Sequence, residues 1–432
     1  MTEIRRMSAP TTVPVKLGWR ARLGRATLEL DALALTASTG ITALLGLVYW
    51  TVAARGFSMG EVGRAAAIVS TATALATVSN LSLGGMYERF LPVTGRDTRY
   101  YLLRGGLATA GLALILGCGF LLVGPSSRLF VHEWEWVGFP FLVLTLAQFA
   151  LLDHTLVGLR RARWAAGKNI VHAVAKLGLA ASAVVVAMVG GEALVLAWAL
   201  PAAVLVLAYL PAAWRLGGAE VVLEQAPILP PRRELWSFFG STVGIMVISA
   251  LAPLVIPLIV VDRLGPELNA AFTMGWTLFS AIALLLGTVI GPYIAQASAP
   301  GADVRRLTAR FTVILSTLAL VGALFLWFGA PLLLGLLGRR YAVEAETLVQ
   351  LMALSLPLSI VGLLYAGMAR VARRLHLAMV CQILSAVLVV VGAAATIERF
   401  GLAGIGYTYL AVEAFTTVIL AVPAWRMSRR LQ

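Results

Sequence analysis

Apolar runs of about 20 residues, the length that crosses a bilayer as an α-helix, recur along almost the whole sequence. Only short polar segments separate them. A helix satisfies its own backbone hydrogen bonds, as the hydrocarbon core of a membrane requires. The pattern therefore predicts an all-α polytopic membrane protein with about twelve transmembrane helices. They are expected near residues 33–53, 65–85, 105–123, 136–152, 166–189, 193–213, 236–261, 268–291, 311–336, 347–368, 375–397 and 402–424.

The composition excludes a soluble globular protein, because 60% of the residues are hydrophobic and 12% are charged, against about 25% charged in soluble domains. The net charge of +14 does not indicate nucleic acid, since the basic residues lie at the ends of apolar runs. Cys118 and Cys381 lie in the middle of such runs and are expected to act as small hydrophobes. We therefore expect the lipid bilayer as a partner, with no metal and no cofactor.

Lysine and arginine are concentrated on alternate loops, with about 26 on the side shared by both termini and about 7 on the other. Cationic loops mark the cytoplasmic side of a membrane protein. Both termini, residues 160–163, 370–374 and 426–430 are therefore expected in the cytoplasm, and the chain in the cytoplasmic (inner) membrane. Residues 16–23 suit either a short helix on the membrane surface or a disordered tail.

The polar segment 215–235 contains Pro227, Pro230 and Pro231 among charged residues, and it divides the chain into halves. A shift of about 209 residues places 156–163 over 365–372, so each half is expected to be a repeat of six helices in the same orientation. The predicted organisation is a basic segment at 1–32, a bundle at 33–214, the cytoplasmic linker 215–235, a bundle at 236–425 and a tail at 426–432. A central cleft between the bundles is the expected site.

The loops leave no room for an enzymatic domain, since the longest outer loop covers only residues 124–135. A nucleotide-binding phosphate loop is also missing, because Gly167-Lys168-Asn169 lacks the upstream glycine and the hydroxyl residue of that motif. We therefore expect no catalytic residues and a role in transport.

Three basic residues on the predicted fifth helix, Lys168, His172 and Lys176, are four residues apart and share one face. This cationic ladder suits an anionic substrate. The simpler interpretation is snorkelling, in which a lysine near a helix end places its ammonium group among lipid head groups. We favour snorkelling for Lys168 but not for Lys176, because a charge near the membrane centre costs ~2.5 to 3.5 kcal/mol and therefore usually has a function.

Glu413 is the carboxylate nearest the centre of a predicted span, on the last helix. Two interpretations stay open: a site that couples transport to a proton or another cation, and a neutral buried carboxyl group that only hydrogen-bonds to a neighbouring helix.

Polar residues with helical spacing lie on the second helix of each half. They are Ser70, Thr73, Thr77 and Asn80 in the first half, and Asn269, Thr273, Thr277 and Ser280 in the second. Small polar residues also permit close helix packing, yet a stripe in both repeats favours a shared hydrated cleft.

Pro253 and Pro257, on the predicted seventh helix, indicate a kink or hinge.

Three stretches carry a resemblance to a known family. In the first hairpin, Ala54-Arg55 ends a helix and the turn Glu61-Val62-Gly63 follows; residues 83–92 contain Leu-Gly and then Arg-Phe-Leu-Pro; and Gly338-Arg339-Arg340-Tyr341-Ala342 precedes the helix predicted from Thr347. In these elements the chain resembles the polysaccharide exporters, or Wzx-type flippases, of the multidrug/oligosaccharidyl-lipid/polysaccharide (MOP) superfamily. The resemblance implies a MATE-like fold.

The resemblance also implies a function, which is to flip or export an anionic lipid-linked oligosaccharide, such as an undecaprenyl-pyrophosphate-linked glycan, by alternating access. Polysaccharide-assembly proteins would then be candidate partners. One alternative is a multidrug antiporter of the same superfamily, which would use carboxylates for cationic drugs. Another is a non-transporting scaffold for glycan assembly. A major-facilitator transporter is disfavoured, because Gly95-Arg96-Asp97-Thr98-Arg99 does not match the signature of that class.

The charge asymmetry predicts that both termini are cytoplasmic. A single cysteine placed at either terminus of a chain without Cys118 and Cys381 should react with an impermeant thiol reagent only after the cells are opened. Labelling of either terminus in intact cells would contradict the topology and the repeat argument that depends on it.

Overall fold

The computed structural model describes residues 19–80, 83–186, 190–219, 252–298, 302–372 and 374–430, together with the single residues 231 and 243. These ranges are mainly helical and contain no strand, and eleven of their helices are long and apolar enough to cross a membrane. The predicted all-α polytopic membrane fold is therefore confirmed. The helices are α1 (Trp19–Gly56), α2 (Met59–Ser79), α3 (Thr98–Val123), α4 (Glu133–Gly158), α5 (Ala162–Val185), α6 (Glu192–Leu216), α7 (252–264), α8 (Pro266–Thr288), α9 (Val304–Leu324), α10 (Arg339–Val371), α11 (His376–Phe400) and α12 (Leu402–Arg430).

Several helices extend well beyond the apolar runs that predicted them. The helix α1 begins at Trp19, so it includes part of residues 16–23, for which the sequence suited either a surface helix or a disordered tail, and α10 begins at Arg339. The run marks only the part of a helix inside hydrocarbon, whereas the internal hydrogen bonds of the helix can continue into water. The Gly338–Ala342 element therefore forms the first turn of α10, not a segment before it.

The turn between α1 and α2 is fixed by a capping box. The Ser58 hydroxyl accepts a hydrogen bond from the backbone N–H of Glu61 (3.3 Å), and the Glu61 carboxylate accepts one from the backbone N–H of Ser58 (2.8 Å). This reciprocal pair satisfies two backbone donors that a helix start leaves without partners. It gives a structural reason for the acidic residue in the first hairpin.

Packing groups the helices into an N-bundle, α1–α6, and a C-bundle, α8–α12, and we count α7, which directly precedes α8 and packs on apolar residues of both bundles, with the C-bundle. In the N-bundle, α4 packs on α2, α3 and α6, and α1 packs on α5. In the C-bundle, α10 packs on α8, α9 and α12. Among the helix pairs whose contacts are described, the most extensive contact between the bundles joins α2 to α8. The predicted linker 215–235 lies mostly outside the described residues, so the domain boundaries stay a prediction.

The two bundles are pressed together where α2 and α8 begin. We call this the outer end, following the topology predicted from charge, and the opposite end the inner end. A Cβ atom on Gly63 would overlap the carbonyl oxygen of Pro266, so only glycine permits this approach of the two backbones. The Asn269 amide donates a hydrogen bond to the Gly63 carbonyl oxygen (2.8 Å).

The apolar core shows the same asymmetry. The largest cluster joins both bundles, and every N-bundle residue in it, from Tyr49 to Ala197, lies within seven residues of the outer end of its helix. Two clusters at the inner end each stay within one bundle, around Tyr87 and Leu151 in the N-bundle and around Tyr365 in the C-bundle. The bundles are therefore closed at the outer end.

Two polar contacts add to this closure. The Arg128 guanidinium, between α3 and α4, forms an ion pair with Asp262 at the end of α7 (2.8 Å). The Arg55 guanidinium at the end of α1 donates to the carbonyl oxygen of Leu336, which follows α9 (3.0 Å). Both contacts join the N-bundle to the C-bundle and would have to break if the outer end opened.

Loss of the Arg128–Asp262 pair should shift the equilibrium toward an open outer end. The pair is partly exposed and is worth up to ~1 kcal/mol, so Arg128→Ala should raise the open fraction by up to about fivefold. The measurement is the distance between spin labels at Val131 and Val343, which are both exposed at the outer end, in a chain without native cysteines.

The matched control is Arg263→Ala, because the partners of Arg263 in the described chain, Asp262 and Glu398, both belong to the C-bundle. This variant should leave the distance distribution unchanged. Equal behaviour of the two variants would show that the Arg128–Asp262 pair does not hold the bundles together.

Candidate functional site

The polar stripe of α2 lies on the face that meets α8. Ser70 and Thr77 follow Gly63 by seven and fourteen residues, which returns to nearly the same side of a helix. Ser70 and Thr77 are half-buried and Thr73 is exposed, whereas Gly63 is buried. The face that is closed at Gly63 is therefore open farther toward the inner end. Asn80 differs, because it is buried at the end of α2 and its amide donates to the Ala76 carbonyl oxygen.

The stripe of α8 continues from Pro266 in the same way. Thr273, Thr277 and Ser280 are half-buried, whereas Asn269 is fully buried in the contact with Gly63. The stripes overlap in depth, since Thr277 is eleven residues after the start of α8, as Ser70 is after the start of α2, although Asn269 lies closer to the helix start than any stripe residue of α2. That they face a shared cleft stays a prediction.

The cationic ladder on α5 lies inside the N-bundle. Lys168 is fully buried, and its ammonium group contacts Asp153 of α4 (3.1 Å) and donates to the carbonyl oxygen of Phe149 (2.8 Å). Asn169 also donates to the Asp153 carboxylate (3.1 Å). Snorkelling is therefore the wrong interpretation for Lys168, which is buried and has the half-buried Asp153 carboxylate as its partner instead of a lipid head group.

The sequence analysis did not identify Asp153 as a site residue, because it lies just beyond the apolar run 136–152, where a charged residue is expected in a loop. The helix α4 continues to Gly158, which brings Asp153 back among the helices. Its neighbour His154 contacts Glu88 on the short helix Leu83–Phe90 (2.7 Å). The sequence could have indicated this pair, because a lysine within the membrane needs a charged partner and Asp153 is the carboxylate nearest to Lys168 in the sequence.

His172 and Lys176 are also buried in the N-bundle. The His172 ring lies 3.1 Å from the carbonyl oxygen of Trp198 on α6, and the Lys176 ammonium lies 3.6 Å from the centre of the Trp198 ring and 5.4 Å from that of Tyr49 on α1. Within the described part of the chain, Lys176 has no carboxylate partner and no oxygen acceptor. Cation–π contact alone holds this charge.

The ladder and the stripes therefore form separate groups. All partners described for the ladder lie on α1, α4 and α6, whereas the stripes lie on α2 and α8. Lys176 is buried among these helices in this conformation, with 6% of its surface exposed. A substrate could contact it only after the N-bundle rearranges.

Glu413 is half-buried in the C-bundle, one turn after Tyr409 on α12. The Tyr409 ring packs against Trp276 and Phe279 of α8, with ring centres 5.5 and 6.1 Å apart. Among the described residues, Glu413 has neither a hydrogen bond nor an ion pair. It does not pair with Lys176, and its role in ion coupling stays a prediction.

The proline hinge and the expected lack of a metal site concern residues that the structure describes only in part. Pro253 and Pro257 lie in the described part of α7, but the preceding half of the predicted span lies outside it, so the hinge stays a prediction. No group of three His, Cys, Asp or Glu side chains within the described ranges is arranged to hold a metal ion.

Solved structures of transporters share this fold. The chain matches the inward-facing conformation of a multidrug resistance MATE family transporter of the MOP superfamily, with TM-score 0.67 and 14% identity over 90% of this chain and 95% of the other. It also matches a MOP superfamily transporter from Pyrococcus furiosus, with TM-score 0.57 and 12% identity over 94% and 96%. No family model matches the sequence, and no curated protein matches it. The fold is therefore MATE-like.

A further solved transporter structure also shares the fold. The outward-facing conformation of a multidrug resistance MATE family transporter matches with TM-score 0.55, at 12% identity over 94% of this chain and 96% of the other. Both matches show the shared fold.

Breaking the Lys168–Asp153 pair should destabilise the N-bundle, because the half-buried Asp153 carboxylate would lose its cationic partner and keep only the Asn169 amide as a described hydrogen-bond donor. Lys168→Met should cost about 3 kcal/mol, and Lys168→Met combined with Asp153→Asn should recover most of this loss. Thermal unfolding of the purified chain in detergent measures both effects. Arg161→Met, at an exposed position just before α5, is the control that should unfold like the wild type. If the loss of stability in the double variant equalled the sum of the losses in Lys168→Met and in Asp153→Asn, the pairing would be contradicted.

Proposed function

We propose that this chain is an alternating-access transporter that flips or exports an anionic lipid-linked oligosaccharide across the inner membrane. Alternating access requires two bundles that can close at either end around a central cleft. The MATE-like fold and the bundles closed at the outer end support this mechanism. In this proposal the termini are cytoplasmic, and polysaccharide-assembly proteins supply the substrate or receive it.

The charge of the substrate is argued from Lys176. It is a buried cation in the N-bundle whose described contacts are aromatic rings, without an anion. A cation in a region of low dielectric attracts an anion strongly and is costly while unpaired. A pyrophosphate group that reached the N-bundle during transport would supply the missing anion. His172, one turn away on the same face, would add a donor.

One structural neighbour bears on this point. The Pyrococcus furiosus protein is a MOP superfamily transporter for which the reverse polarity of its binding pocket suggests a different function. Within this fold, a binding pocket of reversed polarity has thus been linked to a different function. The basic ladder of the present chain supports a substrate of negative charge.

A multidrug transporter is the second candidate function, and it is supported at least as well by the fold. Two of the solved structures are multidrug resistance MATE family transporters. Glu413 is half-buried without a described partner, so it could receive a cationic drug or a proton. The two proposals place the essential charge in different bundles, which makes them separable by mutation.

Transport into proteoliposomes tests the proposal with two probes, a fluorescent undecaprenyl-pyrophosphate oligosaccharide and the cationic dye ethidium. The wild type should move the oligosaccharide, and Lys176→Ala should reduce the rate at least ~10-fold, as expected for a lost charged hydrogen bond worth ~1.5 to 3 kcal/mol. Lys176→Arg should keep part of the activity because the positive charge remains. Membrane insertion should be unchanged.

Val174→Ala is the matched control, because Val174 is an exposed residue of the same helix and its truncation leaves the ladder intact. Lys168→Ala is not a neutral control, since Lys168 pairs with Asp153. Ethidium transport that depends on Glu413 but not on Lys176 would establish the multidrug function instead. Movement of neither probe would favour a scaffold.

A further inference from the structure

An apolar groove runs along the outside of the N-bundle, with α4 as its floor and α3 and α6 as its walls. Its volume is about 450 Å³. Leu103 and Leu107 on α3 and Leu207 and Leu210 on α6 line it, and each of these side chains is about half exposed or more. In a membrane helix such exposed leucines face lipid. The groove is therefore open sideways to the bilayer and is separate from the cleft between the bundles.

Small residues create the hollow. A Cβ atom on Gly106 would meet only the Gln148 side chain, at 3.9 Å, and Ala203 faces the groove from the opposite wall. Two polar groups of the floor have partners, since the Gln148 amide donates to the Gly106 carbonyl oxygen (2.9 Å) and the Thr155 hydroxyl donates to the Leu151 carbonyl oxygen (2.8 Å). Most of the lining residues are apolar, so the surface offered to an occupant is mainly hydrocarbon.

The inner mouth of the groove carries a cation. Arg99, at the start of α3, is one turn before the lining residues Leu102 and Leu103. Its Nε donates to the Trp214 carbonyl oxygen (3.2 Å), and its guanidinium lies 5.3 Å from the centre of the Trp214 ring, which lines the mouth. Its two terminal nitrogens have no acceptor among the described residues, so they remain available to an anion.

Tyr87 closes the floor at the same end. Burial raises the pKa of its hydroxyl well above the ordinary value, so the group is neutral and donates to the Tyr101 carbonyl oxygen (2.8 Å). Arg104 on α3 and Arg215 on α6 also lie at this end of the walls, but of the three arginines Arg99 is the one whose guanidinium is described in contact with a lining residue, Trp214.

The length of the groove matches one leaflet. From Arg99 to Ala110 a helix rises about 16 Å, close to half of the ~30 Å hydrocarbon core. At Thr145 and Ala203 the groove meets a second hollow of about 180 Å³, which continues to Trp134 near the outer end. A long polyprenyl chain would need both sections, whereas one acyl chain fills the inner section.

We propose that this groove binds one acyl chain of an anionic phospholipid from the inner-end leaflet, with the lipid phosphate held by Arg99. The acyl chain by itself gives no preference for one phospholipid over another, because phospholipids with different head groups offer the same apolar tail to the leucines of the groove. Selectivity for an anionic head group comes from Arg99. The lipid bridges the start of α3 and the end of α6, where the predicted linker to the C-bundle begins.

Native mass spectrometry of the full chain, in micelles with equal amounts of phosphatidylglycerol and phosphatidylcholine of the same acyl composition, tests the site. The wild type should retain phosphatidylglycerol about fivefold over phosphatidylcholine, the effect of one cation near the head groups. Arg99→Gln should bring this ratio to about one while lipid still binds. Gly106→Leu, and Ala203→Leu from the opposite wall, should remove retention of both lipids.

Two controls match these variants. Gly111→Leu adds the same side chain to α3 at a position with open space that does not line the groove, and Arg96→Gln removes an exposed arginine from the same end. Both should behave like the wild type. Equal retention in Gly106→Leu and Gly111→Leu would show annular lipid only and overturn the site. A dimer that Gly106→Leu dissociates would identify a second copy as the occupant and also overturn it.

Discussion

The close approach of α2 and α8 at Gly63 and Pro266 organises the rest of the molecule. A residue with a side chain at Gly63 would hold the helices apart, and the Asn269 amide would lose its acceptor. Because the contact is at the outer end, the polar faces that continue from it become open toward the inner end. The position of one glycine thus relates the closure of the bundles to the exposure of the stripes.

Lipid imposes a second constraint, since a charge within the membrane needs a partner or a function. The N-bundle meets it in two ways, by an acidic partner for Lys168 and by aromatic rings for Lys176. The repeat does not reproduce this chemistry, because a shift of 209 residues places Leu377, Cys381 and Ser385 at the ladder positions. Among the described residues, the buried cations therefore lie in the first bundle.

The sequence by itself determined the fold class, because a backbone in lipid must satisfy its own hydrogen bonds and an apolar run of sufficient length has few alternatives to a helix. It also located Lys176 and Glu413, since a charge within such a run is conspicuous. The ends of the helices were less accurate, because hydropathy detects the hydrocarbon boundary and not the last hydrogen bond. Asp153 was missed for this reason.

Only the tertiary structure decided what each polar residue faces. Helical spacing places Lys168, Lys176, Thr77 and Thr277 on defined faces, but periodicity cannot say whether a face meets another helix, lipid or a cleft. Packing turned Lys168 toward Asp153 and Asn269 toward Gly63, and it separated the ladder from the stripes. These contacts join residues far apart in the chain, and their geometry depends on how closely two backbones approach, which the sequence of either helix alone does not determine.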